Sequence, residues 1–236
     1  LLGFNTALAA NPALYKLPFN VLRDLQPVTK LAGGQYVLVL HPSVPAQSLK
    51  DFIALEKAQP GKLNYSSAGI GSPLHLAAEM FKYRTGLNLV HVPYKGGGPA
   101  MTDLIGGQID MIFMTSPEAA PHVQSGKVRS LGVTYQQPTR LLPGVPPVSD
   151  TLPGFELLGW YGMNVPLKTP PAVISRINAE LVKALKDPAL AERMLTVGAD
   201  AVGSTPAEFA EFLKKNTQLW TRVLTESGAK LGQDKP

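Results

Sequence analysis

Leu63-Asn64-Tyr65-Ser66-Ser67-Ala68-Gly69-Ile70-Gly71-Ser72-Pro73-Leu74-His75 runs from a strand through a Ser/Gly loop into the start of a helix. Gly69 and Gly71 permit positive φ and close approach of a ligand to the main chain, Ser72 suits an N-cap, and Pro73 suits the first helical position. Leu74, Ala77, Ala78 and Phe81 then mark one helical face, and Gly86 ends it. The first-turn N–H groups of such a helix lack intrahelical partners and sit at the positive end of its dipole, so the junction can receive an anion. No charged side chain lies in the loop itself. Any anion there is held by hydroxyls and amides, which favours reversible binding over chemistry.

The same unit recurs on the C-terminal side. The strand Asn88 to Val92 leads through Pro93-Tyr94-Lys95-Gly96-Gly97-Gly98 to a helix opened by Pro99, and Ile109 to Met114 leads through Thr115-Ser116-Pro117-Glu118 to a helix ending near Gly126. Three strand–loop–helix units in succession predict an α/β fold with a parallel, helix-covered sheet and right-handed crossovers. In such a sheet the ligand crevice lies beyond the carboxyl ends of the strands, where all three loops fall. Each loop alone is also what an ordinary turn and N-cap look like.

Working outward, Asn11-Pro12 opens an irregular stretch before the strand Gln35 to Leu40, and Ser48 caps a helix through about Ala58. After the strand Val128 to Thr134, five prolines between Gln136 and Pro153 mark an irregular connection. Phe155 to Val165 then reads as extended. Pro170-Pro171 opens an amphipathic helix, Asp187-Pro188 breaks it, and Thr205-Pro206-Ala207-Glu208 is a capping box for a long last helix expected to stop at Gly228.

Bulk properties exclude several classes. The 236 residues, 44% hydrophobic, are enough for one large or two modest domains. A net charge of +5 without basic runs or interleaved aromatics argues against nucleic acid and leaves a mild bias toward anions. With no cysteine, disulfides, thiolate metal sites and cysteine nucleophiles are all excluded. No apolar run reaches the roughly 18 residues of a membrane span. Leu1-Leu2-Gly3-Phe4, without an initiator Met, reads as the middle of a strand, and upstream sequence is expected to precede it.

Tests for named chemistries mostly fail. Gly69-Ile70-Gly71-Ser72-Pro73-Leu74 carries two glycines of a dinucleotide fingerprint but Leu74 at the third, and no Walker A sequence is present. Tyr65-Ser66-Ser67-Ala68-Gly69 resembles a nucleophile elbow around Ser67, except that Tyr65 stands at the first glycine. A triad of Ser67, His75 and a distant Asp keeps a Ser-dependent α/β hydrolase or acyltransferase open as an alternative. A scaffold without a small ligand is a third reading. His41, His75, His91 and His122 make no helical metal pair, and no metal or cofactor is expected.

Leu63 to Leu76, His91-Val92-Pro93-Tyr94-Lys95-Gly96-Gly97 with Pro99-Ala100, Gly107-Gln108-Ile109-Asp110, and Gly126 to Thr134 together resemble the Bug proteins, the TctC-like solute-binding components of tripartite tricarboxylate transporters. The resemblance runs from Asn11-Pro12-Ala13-Leu14-Tyr15 to the final helix. It implies a two-lobed, type II-like periplasmic-binding-protein fold, a Venus flytrap, and a periplasmic receptor that closes on a small carboxylate and presents it to an inner-membrane permease. It also implies that the chain is not an enzyme.

On that basis lobe 1 comprises 1–36 and 158–236, and lobe 2 comprises 37–157, with crossings near Tyr36 and Phe155. The implied carboxylate contacts are Ser66, Ser67 and Ser72 with the amides around Gly69 and Gly71, His75 as a possible donor, Tyr94, Gly96 and Thr115 lining the cleft, and Phe4, Asn5 and Thr6 from the opposite lobe. The family also carries an upstream βαβ region that supplies part of lobe 1 and half of the carboxylate grip. The sequence begins after the stretch that would correspond to it, so the isolated chain is expected to bind weakly, with a lobe 1 that exposes apolar surface or is covered by a neighbouring molecule.

Overall fold

The chain divides into two units, Leu1–Gly34 with Gly159–Pro236, and Gln35–Leu158. The computed structural model describes residues 1–137 and 139–226. The first unit opens with β1 (Leu2–Phe4), a π-helical turn at Thr6–Ala10, and the single-turn helices α1 (Asn11–Leu14) and α2 (Val21–Asp24). Asn20 caps α2 by accepting from the Arg23 amide at 2.9 Å.

The next strand, β2 (Leu25–Leu40), starts ten residues before the predicted strand at Gln35. Pro27, Lys30 and Gly33-Gly34 break its apolar pattern, yet Val28, Thr29 and Ala32 are buried. Gly34 marks a tight backbone passage rather than a turn, since a Cβ there would stand 2.9 Å from the Gly198 carbonyl oxygen.

In the second unit, α3 (Leu49–Ala58) begins with a capping box between Ser48 and Asp51 and buries Leu49 and Phe52. Its inward Glu56 is also buried. The carboxylate accepts from the Gly61 amide at 2.8 Å and the Leu63 amide at 3.2 Å, satisfying the turn into β3 (Asn64–Ser67). There follow α4 (Pro73–Thr85), β4 (Val90–Pro93), α5 (Gly97–Ile105), β5 (Met111–Thr115), α6 (Ser116–Gln124) and β6 (Arg129–Val133). Helix α5 starts two residues before Pro99, because Gly96 at φ +118° takes the N-cap position.

Strand β3 lies parallel to both β4 and β5, so the three predicted units do share one sheet. That sheet is mixed, since β2 runs antiparallel to β5 and to β6. Its core is aromatic. Phe81 of α4 packs against Phe52 at 6.2 Å, Phe113 at 5.7 Å and Phe155 at 6.4 Å between ring centroids.

Back in the first unit are β7 (Leu158–Pro166), α7 (Pro171–Leu185), α8 (Pro188–Thr196), β8 (Asp200–Ala201) and α9 (Pro206–Glu226). Asp187 caps α8, accepting from the Ala189 amide at 2.8 Å. Thr205 and Glu208 form the expected reciprocal cap at the start of α9. The expected stop of that helix, Gly228, lies outside the described residues. Strand β1 pairs antiparallel with β7, which neighbours β2, and β8 pairs antiparallel with β2 through Ala32 and Gly33.

Trp160, Trp220, Phe209 and Leu213 fill this unit's interior. Gly162 lets the Phe209 ring lie against β7, for a Cβ there would stand 2.1 Å from it. Leu1, Leu2, Phe4 and Tyr161 remain exposed on the β1–β7 pair. Among the described residues, no helix is long and apolar enough to cross a membrane.

Candidate functional site

Parallel pairing of β4, β3 and β5 brings three carboxyl ends to one edge of the second unit's sheet: Pro93, Ser67 and Thr115. Because β2 is antiparallel to β5, with Tyr36 opposite Thr115, the start of its inserted portion lies at the same edge. The Ser/Gly loop leaves β3 there. Gly69 and Gly71 hold φ of +119° and +77°, conformations that an L side chain strains. Ser72 caps α4 by accepting from the His75 amide at 3.3 Å, with Pro73 in the first turn.

Within the loop, the Gly69 amide donates to Ser67 Oγ at 3.2 Å, the Ser72 amide to the Gly69 carbonyl at 3.1 Å, and the Gly71 amide to His75 Nδ1 at 3.2 Å. Among the described residues, the amides of Ala68, Ile70 and Leu74 have no acceptor within the chain. Ser66 Oγ and Gln35 Oε1 are both buried toward this edge, again without a hydrogen-bond partner. Buried polar groups are rarely left so. Gln35 was not among the residues singled out from the sequence; its proximity depends on the β2–β5 register.

The side chain of His75 differs from its expected place. It turns inward, is buried, and accepts a hydrogen bond from the loop instead of pointing out as a donor. Its ring stacks 4.4 Å from His91, and His91 stacks 4.7 Å from Tyr65. Ser67 Oγ, considered above as a triad partner of His75, instead lies 2.7 Å from His91 Nε2. Below this layer Glu79 Oε1 accepts from the Tyr65 hydroxyl at 2.6 Å and from Lys82 Nζ at 2.8 Å. Burial, followed by the neighbouring carboxylate, pushes the Tyr65 phenol far above its ordinary range. Burial also disfavours the Glu79 anion, but the hydrogen bonds from Lys82 and Tyr65 outweigh it and hold the carboxyl below its usual value.

Tyr94 is half-buried and donates its hydroxyl to Asp103 Oδ2 at 2.6 Å, while Thr115 Oγ1 donates to Glu118 Oε2. Both hydroxyl protons are thus engaged within the chain. Gly96, at φ +118°, brings main chain rather than side chain to the start of α5. Phe4, Asn5 and Thr6 belong to the other unit: Phe4 is exposed with its ring 6.4 Å from Tyr161, and the buried Thr6 donates to Asn5 Oδ1 at 3.2 Å. Among the described residues, no group of three His, Cys, Asp or Glu side chains is arranged to hold a metal ion. What this edge offers is neutral donors around a helix start.

The family model of the tripartite tricarboxylate transporter family receptor matches residues 1–229. Among curated proteins, the chain is 36% identical over 229 residues to the UPF0065 protein in the tcbD-tcbE intergenic region of Pseudomonas sp. strain P51, covering 94% of this chain and 67% of the relative. It is 34% identical over 216 residues to protein BugT of Bordetella pertussis, covering 91% of this chain and 66% of that protein. It thus spans about two thirds of the length of these relatives.

Two solved structures superpose closely. Rpa4515 of R. palustris with adipate is 26% identical at a TM-score of 0.82, covering 96% of this chain and 77% of that one. MatC of Rhodopseudomonas palustris with bound malate is 25% identical at a TM-score of 0.79, covering 94% and 78%. The fold is that of periplasmic binding proteins of this type, and the chain belongs to the tripartite tricarboxylate transporter receptor family.

Proposed function

We propose that this chain captures a small dicarboxylate reversibly in the periplasm and presents it to the permease of a tripartite tricarboxylate transporter, without chemical change to the ligand. The observation that carries the reading is the Ser/Gly loop, with the free amides of Ala68, Ile70 and Leu74 at the start of α4. A carboxylate accepts from such donors and gains from the helix dipole, and a site without charged side chains releases it readily. The adipate and malate held by two relatives supply the ligand class. Ser66, Ser67, Gly69, Gly71 and Ser72 shape the site, and Tyr94, Gly96 and Thr115 border it.

Thermal unfolding with malate, adipate and their dimethyl esters tests this. At about 100 times its Kd, a bound diacid should add roughly 2.7 kcal/mol of stability, and the esters should add none. Equal effects of acid and ester, or no effect of any small carboxylate at millimolar concentration, would remove the receptor reading.

The Ser67–His91 contact favours a second reading, a Ser–His hydrolase. Against it, Ser67 is fully buried and its oxygen already receives the Gly69 amide, so no substrate carbonyl reaches it without the loop opening. Turnover of p-nitrophenyl acetate that disappears in Ser67→Ala would reinstate it; none is expected.

A further inference from the structure

Two points of the Ser/Gly loop are tied to stacked imidazoles beneath it. At its start, Ser67 Oγ contacts His91 Nε2 at 2.7 Å and receives the Gly69 amide at 3.2 Å. At its end, the Gly71 amide donates to His75 Nδ1 at 3.2 Å. The two rings lie 4.4 Å apart and inclined by 30°, so each fixes the other's plane. Ala68, Gly69 and Ile70 are held between these anchors, with Ala68 and Ile70 contributing two of the three free amides. Loops with positive-φ glycines have many alternatives to choose from, and a bound anion has to meet the one that points its N–H groups outward.

We propose that His75 and His91 are positioning residues of the binding site: as a neutral stacked pair they hold the Ser67–Gly71 loop in its receiving conformation, and protonation of His75 releases it. The proposal rests on the reading of this loop as the carboxylate-binding element. Its chemistry is that of the imidazole nitrogens. Nδ1 of His75 accepts only while unprotonated; an imidazolium carries hydrogen on both nitrogens and would meet the Gly71 amide donor to donor. His91 Nε2 can keep its contact with Ser67 Oγ in either state, which makes His75 the acid-sensitive anchor.

The titratable and charged groups around the pair are Tyr65 on β3 and Glu79 and Lys82 on α4. Burial is the leading reason that His75 stays below the ordinary histidine range; Glu79 opposes it and Lys82 reinforces it. Burial likewise lowers His91, from 6.5 to about 4, with His75 and Lys82 acting in the same direction. Since both folded-state values are depressed, the stability contributed by the neutral pair is complete above about pH 6.5 and is lost as pH falls through the folded values.

The test compares the wild-type chain with His75→Asn and His75→Leu. Asparagine places an acceptor near the Nδ1 position and cannot be protonated, whereas leucine supplies none. Malate affinity is measured by calorimetry between pH 8 and pH 4, and protection of the Gly71 amide against hydrogen exchange is followed over the same range without ligand. On acidification the wild type should lose at least about fivefold more affinity than His75→Asn, whose identical ligand cancels malate's own ionisation. His75→Leu should be weaker by about tenfold already at pH 8. Gly71 protection should fall with pH in the wild type and hold in His75→Asn.

Parallel pH curves for the wild type and His75→Asn in both measurements would overturn the proposal, even if His75→Leu fails to fold. If Gly71 protection switches with pH while malate binds none of the three proteins, the loop anchor stands and the carboxylate reading falls.

Discussion

Replacing Glu79 by alanine should destabilise the Gln35–Leu158 unit by about 3–5 kcal/mol, the usual cost of leaving one member of a buried ion pair behind. Glu79 is 2% exposed, and its Oε1 serves both the Tyr65 hydroxyl and the Lys82 ammonium. Alanine leaves the phenol without an acceptor in the interior and the ammonium, with its side chain 21% exposed, without its counter-charge. Glu79→Gln keeps the shape and an acceptor for Tyr65 but removes the charge, so it should lose less. Urea unfolding followed by far-UV circular dichroism gives the measurement, because both tryptophans, Trp160 and Trp220, belong to the other unit and their fluorescence does not report on this one. A loss under about 1 kcal/mol would mean that the carboxylate is not the bond holding α4 onto β3.

Trp160→Ala should cost the other unit a similar amount, about 3–5 kcal/mol. The indole is 1% exposed and meets Phe209 edge-on at 5.6 Å and Phe212 at 5.3 Å, while its Nε1 donates to Asn216 Oδ1 at 3.0 Å. Truncation removes a large apolar surface, opens a cavity between β7 and α9, and frees the Asn216 acceptor. Trp160→Phe keeps much of the ring packing and loses the hydrogen bond, so a loss nearer 1–2 kcal/mol is expected. Trp220 remains as the fluorescent reporter of the same unit. If alanine and phenylalanine behave alike, the hydrogen bond and not the packing is what β7 contributes.

Both residues illustrate where sequence reading succeeds and where it stops. The helix starts at Ser48-Asp51, Ser72-Pro73 and Thr205-Glu208 were legible because a cap and its partner lie within four residues of one another. The three strand–loop–helix units were legible for the same reason. The first half of β2 was not, because its partner β8 lies far along the chain and Pro27, Lys30 and Gly33-Gly34 interrupt its apolar pattern. Ser67 and His75 were recognisable as reactive residue types, but the contact of Ser67 with His91 exists only because parallel pairing sets Tyr65 opposite His91. Gln35 and Glu79 follow the same rule: their neighbours are set by sheet register and helix packing, which local periodicity does not encode. The ligand is least legible of all, since a loop that binds through backbone amides leaves little trace in side chains.

The central claim is that the free amides of the Ser/Gly loop receive a carboxylate. It is tested most directly by titrating malate or adipate into the ¹⁵N-labelled chain and following the backbone amide resonances. Saturable shifts centred on Ala68, Ile70 and Leu74, absent with the dimethyl esters, are predicted. Saturable binding that leaves these three amides unmoved, or no binding of either diacid at millimolar concentration, would contradict it.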